Sequence, residues 1–506
     1  AATEEAFWKS IHKRLEEIMT DSNFSRRDFI KGLGIAGGLS LLGASAGAQI
    51  LPKFIFRKRC KDAGAIIRKS FKTLTAAELT AYKNGVTAMK ARPLNDPTSW
   101  GYQAAIHGTF NTPVQTAWNT CQHNTTFFLS WHRMYLCFFE RILRKASGNA
   151  NFGLPYWNYS DAADPNARYL PSAFRTPANA TNPLYDGTRA AALNNGTGQL
   201  SASAVSLASV IPGPTSFYPF SNNVQSTPHN VVHGSIGGDM GSFQTAGLDP
   251  IFWLHHCNID RLWNKWLTGG GGRSNPPASD TTWQNTNFTF FDENGAQVQM
   301  KGADIVDVAH SECRSCYDEE AFYTIWDIIK VRYKYLDILL GYYRKQIVLD
   351  TKRLRFDLEL NEKAREAFAN ALKAAKPEDE LNFRLNFEDV KADKPVEFFY
   401  EVYLNLPDMV TEPDYKSQYY AGNISFFGAD SHANMAGMKH NEMEPLKFGV
   451  NVSDAIKRAK IAGVGKLSVT LIPTGLVSKD EKRLPVRSDA KITVGQITLS
   501  VEQREK

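Results

Sequence analysis

Charge of one sign, long apolar runs and internal repeats are what this 506-residue chain has little of. Its 58 Lys+Arg stand against 52 Asp+Glu, a formal net charge of +6. That excess is modest for the length, and no basic stretch is interleaved with stacking aromatics, so a nucleic-acid partner is not expected. The apolar stretch from Gly32 to Leu42 is too short to span a bilayer. No stable membrane span is therefore expected once an export signal is removed. Six cysteines permit a few bridges in an oxidising compartment. Acidic residues are missing altogether from 188 to 228, which removes carboxylate chemistry from that stretch.

Histidine is also scarce, at 11 residues, yet six fall into two clusters: His107, His123 and His132, then His229, His233 and His256. His229-Asn230-Val231-Val232-His233 is an i, i+4 pair, which shares one helical face. Three neutral imidazoles each would hold two metal ions, and imidazole suits copper, zinc, iron or nickel. A zinc protease needs His-Glu-x-x-His, but Asn230 and Val231 fill the interior of the pair. A di-iron bundle needs inward glutamates with Glu-x-x-His, and none accompanies these histidines. Two all-imidazole sites fit a dicopper centre best.

Three longer patterns carry a resemblance: His123 through Glu140, His229 to His233, and Asp249 through Asp260. Together they resemble the tyrosinase, catechol oxidase and hemocyanin family of type 3 binuclear copper proteins. The resemblance implies that His107, His123 and His132 hold CuA, that His229, His233 and His256 hold CuB, and that O2 is the co-substrate. Counted back from Asp260, His256 rather than His255 falls in the ligand frame. Cys121 stands where some members join a cysteine by a thioether to the second CuA histidine. Asn230, Phe243 and His255 take candidate catalytic positions: Asn230 in deprotonating monophenols, Phe243 in gating access, and His255 among the candidates for a replacement base, the alternative being substrate that arrives as phenolate. The family's glutamate upstream of the first CuB histidine is missing. Glu140, Asp249 and Asp260 are expected just behind the ligands, Asp249 as a helix cap with Pro250 in the first turn and the other two orienting backbone or imidazole N–H groups.

The expected architecture is a mainly α catalytic core, a four-helix bundle holding two coppers, followed by a small C-terminal β-sandwich. Thr75 and Glu78 predict a capping box opening a helix over 75–92. Ser25-Arg26-Arg27-Asp28-Phe29-Ile30-Lys31 resembles a twin-arginine export signal, so 1–48 is expected to be a leader read by that machinery. The dicopper domain then covers 55–340, linker helices 341–380, and the sandwich 381–506, where alternation sets in. Such a domain covers the copper site in relatives, with Phe426 or Phe427 as the plug. Met435, Met438, His440 and Met443 offer soft ligands for loading Cu(I). Cys137 and Cys257 are expected as buried thiols, and Cys313 or Cys316 bridged to Cys60 or to each other. The implied function is a latent, exported tyrosinase acting on small phenols. The alternatives are a catechol oxidase and a hemocyanin-like O2 carrier.

Overall fold

The computed structural model describes residues 56–59, 64–208, 210–211, 213–269, 272–306, 313, 315–319, 322–325, 335–373, 381–430, 446–459, 461 and 465–504. These fall in one compact unit, Ile55–Lys506. The twin-arginine segment, Cys60 and the loop with Met435, Met438, His440 and Met443 lie outside the described residues.

Local sequence starts the long helices where capping chemistry allows. Helix α1 (Ala76–Lys90) opens on Thr75, whose side chain accepts from the Glu78 N–H while Glu78 reaches back to the Thr75 N–H. Helix α2 (Trp100–His107) is capped by Ser99. Helix α3 (Phe128–Ser147) ends at Gly148, whose φ of 70° closes the last turn at no steric cost. Helices α4 (Phe217–Val224) and α5 (Val231–Ile236) flank a wide turn, Gln225–Asn230. Thr227 is extended there (φ −144°, ψ 124°), because Pro228 disfavours the helical conformation in the residue before it. Helix α6 (Pro250–Thr268) starts on Asp249, which accepts from the Ile251 N–H, with Pro250 in the first turn. Helices α1, α3 and α6 pack through Tyr82, Val86, Tyr135, Phe139, Leu143 and Trp253, all essentially solvent-free.

Below the histidines lies a buried ionic network. Asp260 accepts from Arg133 Nε at 2.5 Å, Arg68 Nη1 at 3.1 Å and Tyr317 OH at 2.6 Å. Glu140 accepts from Arg68 Nε and the Leu154 N–H, both at 2.8 Å, and from Ser315 Oγ at 2.7 Å. Of the backbone or imidazole N–H groups expected as their partners, Glu140 takes the backbone N–H of Leu154, and neither carboxylate is hydrogen-bonded to an imidazole. They join α3 to α6 and to the strand pair around Arg68 and Ser315. Cys137 is no thiol either: it is bonded to Cys313, 176 residues away. Cys316 is disulfide-bonded as well, while Cys257 is a buried free thiol.

The short strands β1 (Ile66–Arg68), β2 (Gly198–Leu200) and β3 (Ser315–Tyr317) belong to the helical part, where β1 pairs in parallel with β3. The C-terminal strands are β4 (Tyr335–Tyr343), β5 (Ile347–Leu349), β6 (Leu354–Leu360), β7 (Asn382–Ala392), β8 (Phe399–Leu404), β9 (Tyr420–Ile424), β10 (Phe448–Asn451), β11 (Lys466–Thr474), β12 (Leu476–Ser478) and β13 (Ile492–Arg504). Instead of a two-sheet sandwich, nine of them form one antiparallel sheet in the order β9-β8-β11-β6-β4-β13-β7-β10, with β5 on β13. The sheet curls until its end strands meet, so a Cβ on Gly422 of β9 would lie 2.7 Å from Val450 of β10. Among the described residues, the segment expected as linker helices contains the end of β4, β5, β6 and one helix, α7 (Glu362–Lys373). Leu354-Arg355-Phe356-Asp357-Leu358-Glu359-Leu360 alternates apolar and charged residues at period two, burying Phe356 and Leu358 and exposing Arg355, Asp357 and Glu359.

The sheet is docked on the helical part. Strand β12 pairs with β2, Asn423 donates to Ser203 O at 2.8 Å, and Glu401 accepts from Ser203 Oγ at 2.7 Å. The Gly238 N–H donates to Glu397 at 2.7 Å, and Ser425 Oγ to Asn230 O at 3.1 Å.

Candidate metal centre

Five of the six motif histidines sit at the ends or first turns of helices, or in the wide turn between two. His107 ends α2, His132 lies in the first turns of α3, His229 in the wide turn, His233 in α5 and His256 in α6. His123 stands on irregular backbone before α3. Within the first cluster the ring centroids are 5.2, 5.2 and 6.0 Å apart. Within the second they are 4.6, 4.8 and 5.4 Å apart. The clusters meet face to face, with His132 stacked on His256 at 4.5 Å and His123 at 5.3 Å from His229.

Four of the six rings are held from behind by an oxygen at Nδ1. The Nδ1 atoms of His107, His132 and His233 lie 2.9, 2.7 and 2.8 Å from the carbonyl oxygens of Phe243, Phe128 and Met240. A carbonyl only accepts, so each Nδ1 carries the proton and each Nε2 lone pair faces inward. His229 Nδ1 makes the same kind of bond to Asn230 Oδ1 at 2.7 Å. Burial, followed by neighbouring imidazoles, pulls the His107 pKa down to about 3. Burial dominates at His132 too, which also falls to about 3 despite its bond to Phe128. His123, His229, His233 and His256 are all lowered by burial first, with neighbouring imidazoles adding to it, at His233 against the bond to Met240. The rings are therefore neutral donors at neutral pH.

The inward atoms fit metal ions and little else. His107, His123 and His229 each bury an Nε2 that has no hydrogen-bond partner, a costly arrangement unless a cation takes the lone pair. Nε2 of His233 and Nε2 of His256 lie 3.2 Å apart. His107, Cys121, His123 and His132 form one set of convergent donors, and His229, His233, His255 and His256 the other.

Residues around the donors take distinct places. Cys121 Sγ is 3.6 Å from His123 Nδ1 and 3.3 Å from His132 Nε2, and burial pushes its thiol well up. His255 lies against His229 and His233, at 5.4 and 4.9 Å, with Nδ1 3.2 Å from Tyr159 OH. Phe243 packs against His107 and His123 at 4.8 and 5.2 Å. Asp249 is bound by Arg189 through both oxygens and caps α6. Phe427, after β9, stacks on His233 at 4.2 Å and 16° and meets His123 edge-on at 5.8 Å. Its neighbour Phe426 turns the other way, into the sheet's own core with Phe387, Tyr400 and Phe448. The sequence reading missed Phe128 and Phe252, which wall the site at 4.8 Å from His132 and 4.2 Å from His256. Only their frames beside motif histidines marked them.

The common central domain of tyrosinase matches residues 97–214 and 177–268, and the polyphenol oxidase middle domain matches 278–322. A domain of unknown function matches 338–502. A tyrosinase of Hahella sp. (strain CCB-MM4) is 37% identical over 273 residues, 45% of this chain and 58% of that protein. The chloroplastic polyphenol oxidase of Vitis vinifera is 30% identical over 319 residues, 55% of this chain and 47% of that protein. The chain thus spans about half the length of these two relatives. The fold matches a latent aurone synthase (polyphenol oxidase) at TM-score 0.60 and 21% identity, over 87% of this chain and 90% of that one. Latent apple tyrosinase matches at TM-score 0.59 and 22% identity, over 87% and 97%. With its two facing imidazole clusters, the chain carries over residues 97–268 the common central domain of tyrosinase, the type 3 copper domain that it shares with polyphenol oxidases. The two convergent donor sets suit a pair of copper ions as the cofactor of that domain.

Proposed function

We propose that this protein is a latent copper-dependent phenol oxidase of the tyrosinase kind, hydroxylating small monophenols at the ortho position and oxidising o-diphenols to o-quinones. In this reading His107, His123 and His132 hold CuA, and His229, His233 and His256 hold CuB. The bound pair supplies Lewis acidity and the two-electron exchange with O2. The polypeptide does the rest. Carbonyls and Asn230 fix the imidazole tautomers, Phe243 narrows the approach over the first cluster, and the buried walls exclude water. Cys121, with Sγ 3.6 Å from His123 Nδ1, is the candidate for a thioether to that ring; closing the S–C bond would release the thiol and ring protons and pass two electrons to O2. His255, held by Tyr159, takes the phenol proton in place of the missing carboxylate. Asp249, Asp260 and Glu140 hold the helices on which the ligands ride.

One observation carries the latency: Phe427, supplied by the C-terminal sheet, lies flat on His233 and is itself 4% exposed. A phenol ring needs that same position. The dicopper domain is read as reaching the start of β4, with the covering domain from there on. The Cys137–Cys313 bond supports an oxidising compartment, in keeping with twin-arginine export to the periplasm or beyond.

Oxygen uptake by the copper-loaded full chain tests the reading, on tyrosine and on L-DOPA, with Phe427→Gly beside the parent. The variant is expected to oxidise both substrates about tenfold faster or more. No uptake by either protein would leave an O2 carrier. A second reading, an enzyme confined to diphenols, is favoured by the lack of any Asp or Glu from 188 to 228. Uptake with L-DOPA alone would establish it.

A further inference from the structure

Five of the six imidazoles have a rigid support: a carbonyl, Asn230, or, for His256, the stack on His132 and the body of α6. His123 has neither a helix beneath it nor an oxygen at Nδ1, which faces Cys121 Sγ instead. The next residue, Asn124, has a φ of 55°, in the left-handed region that side chains other than glycine enter at a cost. Something must hold that segment.

The holder comes from the other cluster. Gln225 Oε1 accepts from the Asn124 N–H at 3.1 Å, and Gln225 Nε2 donates to Asn124 Oδ1 at 2.6 Å. The two residues are 101 apart in sequence, and Gln225 is buried at 5% exposure. Gln225 opens the wide turn that ends at Asn230 and carries His229. The clasp therefore ends one residue after His123 and four residues before His229, the pair whose rings face each other across the clusters at 5.3 Å. A primary amide presents a donor and an acceptor side by side, so it can grip both a backbone N–H and a side-chain oxygen.

We infer that Gln225 is a positioning residue: by clasping Asn124 it sets His123 against His229 and thereby fixes how closely the two copper ions approach. The inference rests on the six imidazoles being the copper ligands. Loss of the clasp leaves each cluster its donors but frees the spacing between them.

The test uses the full chain loaded with copper, read by copper content and by electron paramagnetic resonance of the Cu(II) protein. The parent is expected to bind two coppers per chain with little resonance signal, because closely coupled Cu(II) ions cancel. A parent binding fewer than two would overturn the ligand assignment itself and the inference with it. Gln225→Leu is expected to bind one copper about tenfold more weakly and to show a strong Cu(II) signal. Gln225→Glu keeps the acceptor, and Asn124 can turn its amide to donate, so coupling is expected to return. If Gln225→Leu fails to fold, Asn124→Gly replaces it: it relieves the positive φ, deletes one bond of the clasp, and is expected to show a weaker but present signal. A silent spectrum with parent-like affinity in the folded variant, or no recovery in Gln225→Glu, would overturn the inference.

Discussion

His255 and His256 are neighbours in sequence, yet their rings are used differently. His256 stacks on His132 and brings Nε2 to 3.2 Å from Nε2 of His233. His255 has its Nδ1 at Tyr159 and an Nε2 that is buried without a partner. If it receives the proton of a monophenol, His255→Asn should keep both coppers. It should lose about a hundredfold in kcat on tyrosine, the usual range for general-base catalysis, and less than about threefold on L-DOPA. Steady-state rates on both substrates, with copper content, check this. An equal loss on both would make His255 a support for His229 alone. The same residue-scale division separates Phe426 from Phe427. Both are equally apolar, and only the backbone after β9 decides that Phe427 covers His233 while Phe426 joins the sheet core.

At the scale of elements, the register of α3 against α6 decides whether the two clusters face one another. Arg133 follows His132, and Asp260 lies one turn beyond His256, so their ion pair, nearly solvent-free on both sides, locks the two helices beside the stacked rings. Arg133 also lies over the Trp263 ring, 3.6 Å from its centroid. Burial alone would raise the carboxyl of Glu140, but Arg68 and Arg144 hold it below its usual range. Breaking one partner of such a buried set leaves an uncompensated charge, worth about 3–5 kcal/mol. Asp260→Ala is therefore expected to cost about that much in urea unfolding of the metal-free protein. It should also weaken copper binding, although Asp260 touches no ligand. A change under about 1 kcal/mol would show the network to be dispensable.

Over the whole molecule, burying so many imidazoles makes folding sensitive to acid. The folded pKa values of His107 and His132 are depressed to about 3 from 6.5, by burial above all. His123, His229, His233, His255 and His256 shift the same way for the same first cause. Below pH 6.5 the unfolded chain takes up protons that the folded chain refuses. Stability is thus fully present above that value and is lost as pH falls toward 3, by up to about 1.4 kcal/mol per pH unit for each such histidine. Metal-free protein should show a melting temperature that drops steeply between pH 6.5 and 4 and is flat from 7 to 8 on this account. Copper should oppose the drop while its ligands stay unprotonated. A flat profile through pH 5 would mean that the rings are already solvated.

What the sequence determined by itself is what short-range chemistry dictates. The Thr75 capping box, the Asp249–Pro250 start of α6 and the histidine frames each depend on residues a few positions apart. Strand β6 is passed over in favour of linker helices, because its charged residues favour helix while its period-two alternation spans only seven residues. Other features join residues far apart in the chain, and only the tertiary structure decided them. The partner of Cys137 lies 176 residues away, and Asn124 and Gln225 are 101 apart. The acceptors behind His107 and His233 are main-chain carbonyls, which every residue carries and no sequence pattern marks. The closing of nine strands into one curled sheet follows from twist and edge pairing summed over the whole domain, and that closing brings Phe427 to rest on His233.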